Sequence, residues 1–432
     1  MSMSQVLSPW GYLPDGWRLS TIKEEMVEVT DYVANGSFAT LRENVTYKDA
    51  EDYAVLIRTA DYHNNFEGNF VYIDEKAYNF LSKSKLFGGE IIIANVGSVG
   101  EVFKCPILSK KMSLAPNAIM VKLKGNNDFF YYWFKSRIGQ HNILNLVSGS
   151  AQPKFNKTHF KAMEIPVPPI NVQDKIAENL SALDDKIANN HRICKNLEAQ
   201  AQALFKHWFV DFAPFKDGKF VESELGLIPE GWRVGKAEDF YTINIGKTPP
   251  RAERQWFSES KGKNKIWISI SDMGCCGTFI SDSKEYLTPE AQSKFNIVMV
   301  PAGTILLSFK LTIGRVAIAD NELTTNEAIA RFILPNSDYR EFTYLYLKQY
   351  KYGSLGSTSS IATAVNSKII KSMPFLMPSP EVMAKFSNVV GNLFDEMKIL
   401  SKESSRLASL RDTLLPKLMT GEINVNEIDK SL

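Results

Sequence analysis

The chain has 432 residues, 44% of them hydrophobic and 23% charged, with a formal net charge of +2 and a pI of about 8.1. That length exceeds a single core and suits about two to four domains, and no apolar run approaches the roughly 20 residues that a membrane span needs. Four scattered cysteines, Cys105, Cys194, Cys275 and Cys276, form neither a disulfide framework nor a CxxC motif, and the N-terminus lacks the basic and apolar regions of a signal peptide, so a reduced, cytoplasmic protein is expected.

In chain order, residues 1–170 read as mixed α/β. Short β-rich runs at 54–57, 91–93 and 118–121 are separated by Gly, Asn and Lys turns. An aromatic-rich helix is predicted over 128–138, and Pro166, Pro168 and Pro169 mark the exit from this segment, proline being able to stop a strand and begin a helix. A long helix follows over 172–212 with no Gly or Pro inside. Ile176, Leu180, Leu183, Ile187, Asn190, Cys194, Leu197, Ala201, Leu204 and Trp208 recur in it at alternating steps of four and three, a coiled-coil seam. Residues 213–380 return to α/β, with β-rich runs at 266–270 and 305–307, a helix over 341–350, and an exit at Pro374, Pro378 and Pro380. The last long helix places Phe386, Val390, Leu393, Met397, Leu400, Ser404, Leu407, Arg411, Leu414 and Leu418 in the same register, each 210 residues after its counterpart.

This order is one unit stated twice. Leu13-Pro14-Asp15-Gly16-Trp17-Arg18 returns as Ile228-Pro229-Glu230-Gly231-Trp232-Arg233, and Gly89-Glu90-Ile91-Ile92-Ile93 as Gly303-Thr304-Ile305-Leu306-Leu307. Gly100 returns as Gly314, and Met163-Glu164-Ile165-Pro166 as Met373-Pro374-Phe375-Leu376. The shared register of the two seams makes mutual pairing of the long helices the simplest arrangement, and a helix of about 40 residues at 1.5 Å per residue is roughly 60 Å long. Asn190 stands at a seam position whose counterpart is Leu400. It reads either as a register-fixing polar residue or as a solvated one beside a loose stretch.

No catalytic constellation is present. Tyr241 to Thr248 ends like a phosphate-binding loop but has tyrosine where the first glycine belongs, with Pro249 and Pro250 where a helix must start. Gly97-Ser98-Val99-Gly100 lacks dinucleotide spacing, and there is no Asn-Pro-Pro-aromatic motif for an amino-methyltransferase. His63, His141, His159, His191 and His207 stand at no metal-ligand spacing, so no metal site is expected. The chain reads as a binder. Its densest basic stretch runs from Lys247 to Lys265 and is interleaved with Trp256 and Phe257. It is either a nucleic-acid surface or a solvated loop with its aromatics anchored in the core.

Several ordered motifs together resemble the specificity (S) subunit of type I restriction–modification systems. They are Ile165-Pro166-Val167-Pro168-Pro169-Ile170 with Gln173 and Ile176, then Leu204-Phe205-Lys206-His207-Trp208-Phe209-Val210-Asp211-Phe212, and finally Leu414-Leu415-Pro416-Lys417-Leu418-Met419-Thr420-Gly421-Glu422-Ile423. Gly246-Lys247-Thr248-Pro249, Trp267-Ile268-Ser269 with Asp272, and Ser148-Gly149-Ser150-Ala151-Gln152-Pro153 are similar to parts of that family's target-recognition domains. The first domain departs with Asn35-Gly36-Ser37-Phe38-Ala39 in place of Gly-Lys-Thr-Pro, though Asp61 aligns with Asp272. The second has Ser359-Ser360-Ile361-Ala362 in place of Gln-Pro.

The resemblance implies an α/β (α+β) fold with target-recognition domains at 1–170 and 213–380, a central helix at 171–212 and a C-terminal helix and tail at 381–432. The helices would pair as an antiparallel coiled coil. It further implies a non-catalytic subunit that reads a bipartite site on double-stranded DNA, one half-site per domain, across an unread spacer set by the helices. Two modification subunits would carry S-adenosylmethionine and methylate adenine, and restriction subunits would add ATP- and Mg-dependent cleavage. This chain would need no cofactor of its own and no membrane. Candidate DNA contacts are Arg42, Arg58, Lys154 and Lys157 in the first domain, and Lys247, Thr248, Arg251, Arg254, Lys310 and Arg315 in the second. The alternatives are a self-contained methyltransferase or nuclease with an unrecognised site, and a repeat scaffold that binds only protein.

Overall fold

The computed structural model describes residues 7–149, 152–355 and 365–425. Ser150 and Ala151 of the 148–153 motif, and the stretch Ser359 to Ala362, lie outside the described residues. The chain forms two compact units, residues 1–186 with 407–432, and residues 187–406.

In the first unit, a four-stranded sheet has the order Met26–Asp31, Ala118–Leu123, Ile91–Ala94, Val102–Lys104, all antiparallel. A second has the order Val71–Ile73, Ala54–Ile57, Lys111–Leu114, Lys85–Leu86, in which 54–57 and 111–114 run parallel. The second unit repeats the first order in full and the second in part, with Phe257–Ser258 added beside Tyr286–Leu287 and, among the described residues, no strand in the place of Lys85–Leu86. Thr242–Ile245, Ile329–Ile333, Ile305–Ser308 and Val316–Ala319 are joined in the same order, with Phe279–Ile280 added at the edge. Lys265–Ile268 again runs parallel to its neighbour, Thr324–Thr325. The duplication in the sequence is therefore a duplication of topology. The central strands are buried on both faces, which is why 91–94 and 305–307 read as unbroken apolar runs rather than alternating ones.

Some local expectations give way to turn and cap chemistry. The helix expected over 128–138 is two helices, Asn127–Lys135 and Arg137–Asn145. Ser136 leaves the helical region between them, and its hydroxyl accepts the Gly139 N–H at 3.2 Å. The strand expected over 266–270 stops at Ile268, because Ser269 and Asp272 form a reciprocal capping box that opens the helix Ile270–Cys275. Pro166 and Pro374 do not end strands but lie within them, in the ribbons that pair Glu164–Val167 with Arg18–Thr21 and Pro374–Met377 with Arg233–Lys236. A two-stranded ribbon has free edges, so a residue without an N–H fits there.

The long helices are α1, Ile170–Phe209, and α2, Pro380–Thr420. Each unit contains part of both. In the second unit Phe205 and Trp208 pack on Phe386, the Cys194 thiol lies 3.7 Å from the Met397 carbonyl, and the Asn190 amide donates to the Glu403 carboxylate at 2.7 Å. Residue numbers rise along α1 as they fall along α2, so the pairing is antiparallel. The first unit continues the trend with an Arg411–Asp184 ion pair at 2.5 Å. Along the seam Ile176, Leu180, Asn190, Ala201, Phe386, Val390, Met397, Leu400, Ser404 and Leu418 are buried. Leu183, Ile187, Cys194, Leu197, Leu204, Trp208, Leu393, Leu407, Arg411 and Leu414 are half-buried.

The seam also serves the domain cores. Ile176, Ala177 and Leu180 join Leu418 and Met419 in the core around Trp17 and Phe129. Ala201, Phe205 and Phe209 join Phe386, Val390 and Met397 in the core around Trp232 and Phe342. Near its C-terminus α1 buries Phe205 and Phe209 more fully than Leu204 and Trp208, because there the apolar stripe faces a domain as well as the partner helix.

Candidate nucleic-acid interface

In the second unit the candidate residues gather where the five-stranded sheet ends. The Gly246 N–H donates to the Ile329 carbonyl at 3.3 Å, the Lys247 N–H to Thr325 at 3.0 Å, and the Phe309 N–H to Ala328 at 3.0 Å. The loops 246–254 and 309–315 thus leave the sheet on either side of Thr325–Ile329. A side chain at Gly246 would collide with the Thr325 and Asn326 carbonyls, so glycine is required for this close approach.

Beneath the rim, Arg331 is only 3% exposed and, among the described residues, makes no ion pair with a carboxylate. It donates to Val298 and Ile245 carbonyls at 2.8 and 2.9 Å, and so ties the strand before the Gly-Lys-Thr-Pro turn to the neighbouring loop. Burial pulls its pKa down to about 10.

On this frame Lys247 is exposed, its ammonium 3.3 Å from the Phe295 and Asn296 carbonyls. Its own carbonyl accepts the Trp267 indole N–H at 3.0 Å. Arg251 lies over two rings, 4.4 Å from the centre of Phe257 and 4.6 Å from Trp267, and pairs with Glu285 while its side chain stays 48% exposed. Lys294 stacks on Trp256 at 4.5 Å. Thr248 bonds Glu327. Arg254 and Lys310 are exposed. Arg315 is half-buried, donating to the Ile270 carbonyl at 2.7 Å and lying against Gly274. The aromatics of the basic stretch are therefore anchored, partly buried against the cluster of Trp267 and Leu287, and Arg251 and Lys294 lie over their rings.

The first unit builds the same rim differently. The Asn95 N–H donates to Asn117 at 3.0 Å, as Phe309 does to Ala328, and Lys154 bridges Val96 through its backbone. Lys157 is paired with Asp31 at 2.7 Å. Arg58 is held by Asp61 at 2.6 Å, and that bond raises the guanidinium pKa. Arg42 is exposed on the helix Phe38–Asn44 and is not joined to the others by any hydrogen bond or ion pair among the described residues.

Asp61 and Asp272, aligned by sequence, do the same structural work. Each accepts a backbone N–H three residues earlier, from Arg58 or Ser269, at 2.8 Å, and caps a short helix. The Ser269-x-x-Asp272 spacing carried that signal. The roles of Glu285 and Glu327 carried no local signal, since their partners stand 34 and 79 residues away.

Among the described residues no group of His, Cys, Asp and Glu could hold a metal ion, and no helix is long and apolar enough to cross a membrane.

Residues 14–199 and 229–400 each match the family described as type I restriction modification DNA specificity domain. The MjaIX type I restriction enzyme specificity subunit of Methanocaldococcus jannaschii is 26% identical over 443 aligned residues, which span 97% of this chain and 96% of that one. The HindI specificity subunit of Haemophilus influenzae is 27% identical over 332 residues, 63% of this chain and 71% of its own. The crystal structure of a type I S subunit from M. genitalium shares the fold, with a TM-score of 0.52 at 17% identity over 96% of this chain and 99% of that one. Both matched segments contain a full recognition unit and part of a long helix, and together they span most of the sequence. The chain belongs to the type I restriction–modification DNA specificity family.

Proposed function

We propose that the chain is the non-catalytic DNA-reading subunit of a type I complex and that each unit reads one half of a split, asymmetric site. The observation that carries this reading is the repeated rim. The two units share strand order and loop anchoring, yet present different chemistry at equivalent positions. Glu101 corresponds to Arg315 at the shared offset of 214 residues (315 minus 101). The carboxylate of Glu101 accepts from or pairs with His63 at 2.7 Å, while Arg315 brings a guanidinium to the same place. Opposite charge at one position of a common frame favours different bases, since carboxylates accept from cytosine and guanidinium groups donate to guanine.

In this reading Arg251, Arg254, Lys247 and Lys310 meet phosphates, with Arg251 exchanging Glu285 for the backbone when DNA arrives. Lys154 and Arg42 would do so in the first unit, and Lys157 and Arg58 only on leaving Asp31 and Asp61. The partners in this reading are two modification subunits that bind S-adenosylmethionine and methylate adenine, with restriction subunits supplying ATP- and Mg-dependent cleavage, in the cytoplasm. The long helices set the spacer. The test is a shift assay with the chain and its modification subunit on a library of duplexes. Selection of one split sequence supports the proposal, and uniform binding to all duplexes refutes it.

A further inference from the structure

The hairpin loop between Ile305–Ser308 and Val316–Ala319 carries an apolar residue that the interior does not use. Leu311 is 99% exposed, and its backbone is left-handed, at φ +62°. The turn around it is firmly tied. The Thr312 N–H donates to Lys310 at 2.7 Å, the Ser308 hydroxyl donates to Thr312 at 2.6 Å, and the Gly314 N–H donates to Ser308 at 3.0 Å. A three-residue turn of this kind is strained for a residue with a side chain.

The first unit shows what the backbone prefers. Its loop has the same length and the same closing bond, Gly100 to Ala94 at 2.9 Å, and the glycines Gly100 and Gly314 share φ +89°. Position 311 there is Gly97, at φ +81°. One unit thus fills the left-handed position with the residue that suits it, and the other with a leucine that gains no burial. The strain is not repaid within the chain. The leucine projects from a fixed tip beside exposed Lys310, on the rim that also carries Lys247 and Arg251. Ile313 on the same loop is also exposed, but at 39% against 99% for Leu311, so Leu311 is the side chain that projects furthest. Cationic surroundings fit a polyanion, and a projecting aliphatic tip fits a gap between stacked bases better than a flat protein face.

We infer that Leu311 is an apolar wedge that enters the stack of the half-site read by the second unit and opens one base step. This rests on the DNA-reading role proposed above. The first unit, with Gly97, has no wedge, so only one half-site is distorted.

The experiment uses the chain assembled with its modification subunit, without S-adenosylmethionine, on its own split site carrying 2-aminopurine at successive positions of each half-site. Wild type, Leu311→Ala and Leu311→Gly are compared. The wedge predicts a fluorescence rise at one step of one half-site that both variants abolish, with about tenfold weaker binding. Fluorescence at the adenine to be methylated is unchanged, and Leu311→Gly melts no lower than wild type. A selective complex with the same fluorescence pattern in all three proteins overturns the inference. So does weakened subunit assembly in the variants with the DNA signal intact, which would make Leu311 a protein contact. Absence of selective binding by wild type refutes the DNA-reading role itself and the wedge with it.

Discussion

Asn190 stands on α1 facing Glu403 of α2, and Leu400 is its equivalent by the 210-residue offset. Its side chain is fully buried. The amide nitrogen donates to Glu403 at 2.7 Å, but the amide oxygen has no hydrogen-bond partner among the described residues. Replacing it by leucine, Asn190→Leu, removes one bond to a charged group, a loss of about 1.5–3 kcal/mol. It also removes an unpaired buried carbonyl oxygen, a gain of about 1–3 kcal/mol, and buries more apolar surface, a gain of about 1–2 kcal/mol. Glu403 is only half-buried and can turn to water. The balance is a stabilisation of about 1–2 kcal/mol in the unit formed by residues 187–406. Denaturant unfolding followed by tryptophan fluorescence reads it as a higher midpoint at unchanged slope. A destabilisation of 2 kcal/mol or more would refute the reasoning and show that the Asn190–Glu403 pair is net favourable where it stands. In the predicted case the asparagine is retained for register rather than stability.

Arg254→Ala should leave thermal stability unchanged and reduce the salt slope of DNA binding by about one phosphate contact, read from affinities at several salt concentrations. Arg251→Ala should reduce the slope similarly and also lower stability by about 1 kcal/mol, because it removes contacts to Phe257 and Trp267. An unchanged slope in both would take this loop out of the interface. The chain should also lose stability above pH 10. Burial pushes the Tyr131 and Tyr346 phenols up to about 12, and those of Tyr132, Tyr241 and Tyr344 further. A phenol that stays neutral when folded and ionises near 10 when unfolded contributes fully below pH 10, and its contribution is lost as pH rises toward its folded value. The slope is about 1.4 kcal/mol per pH unit for each group. Arg331 acts in the opposite sense, since its folded pKa lies below its unfolded one, but it is one group against several. Equal unfolding midpoints at pH 9 and 11 would contradict this.

The framework was legible wherever one periodicity decided the outcome. The runs at 91–93 and 305–307 are central strands because three consecutive apolar residues between glycine-containing turns suit a short strand covered on both faces. The heptads of the long helices were equally plain. What escaped depends on contacts distant in sequence. The shift from Leu204 and Trp208 to Phe205 and Phe209 follows from the core around Trp232, which the heptad pattern does not encode. Lys157, Arg58 and Arg315 looked like free cations, yet each is held by another part of the chain. Nothing in the sequence marks Leu311. Only its exposure and its left-handed backbone, set beside Gly97, separate it from the core leucines. The Ser269–Asp272 cap, by contrast, was readable from four residues.

The central claim is that two topologically equal units read two different words. Exchange of residues 213–380 for the corresponding segment of another family member, followed by mapping of methylated adenines in the host genome, tests it directly. One half-site should change while the other half-site and the spacer stay as they were. A change in both half-sites, or in neither, would contradict it.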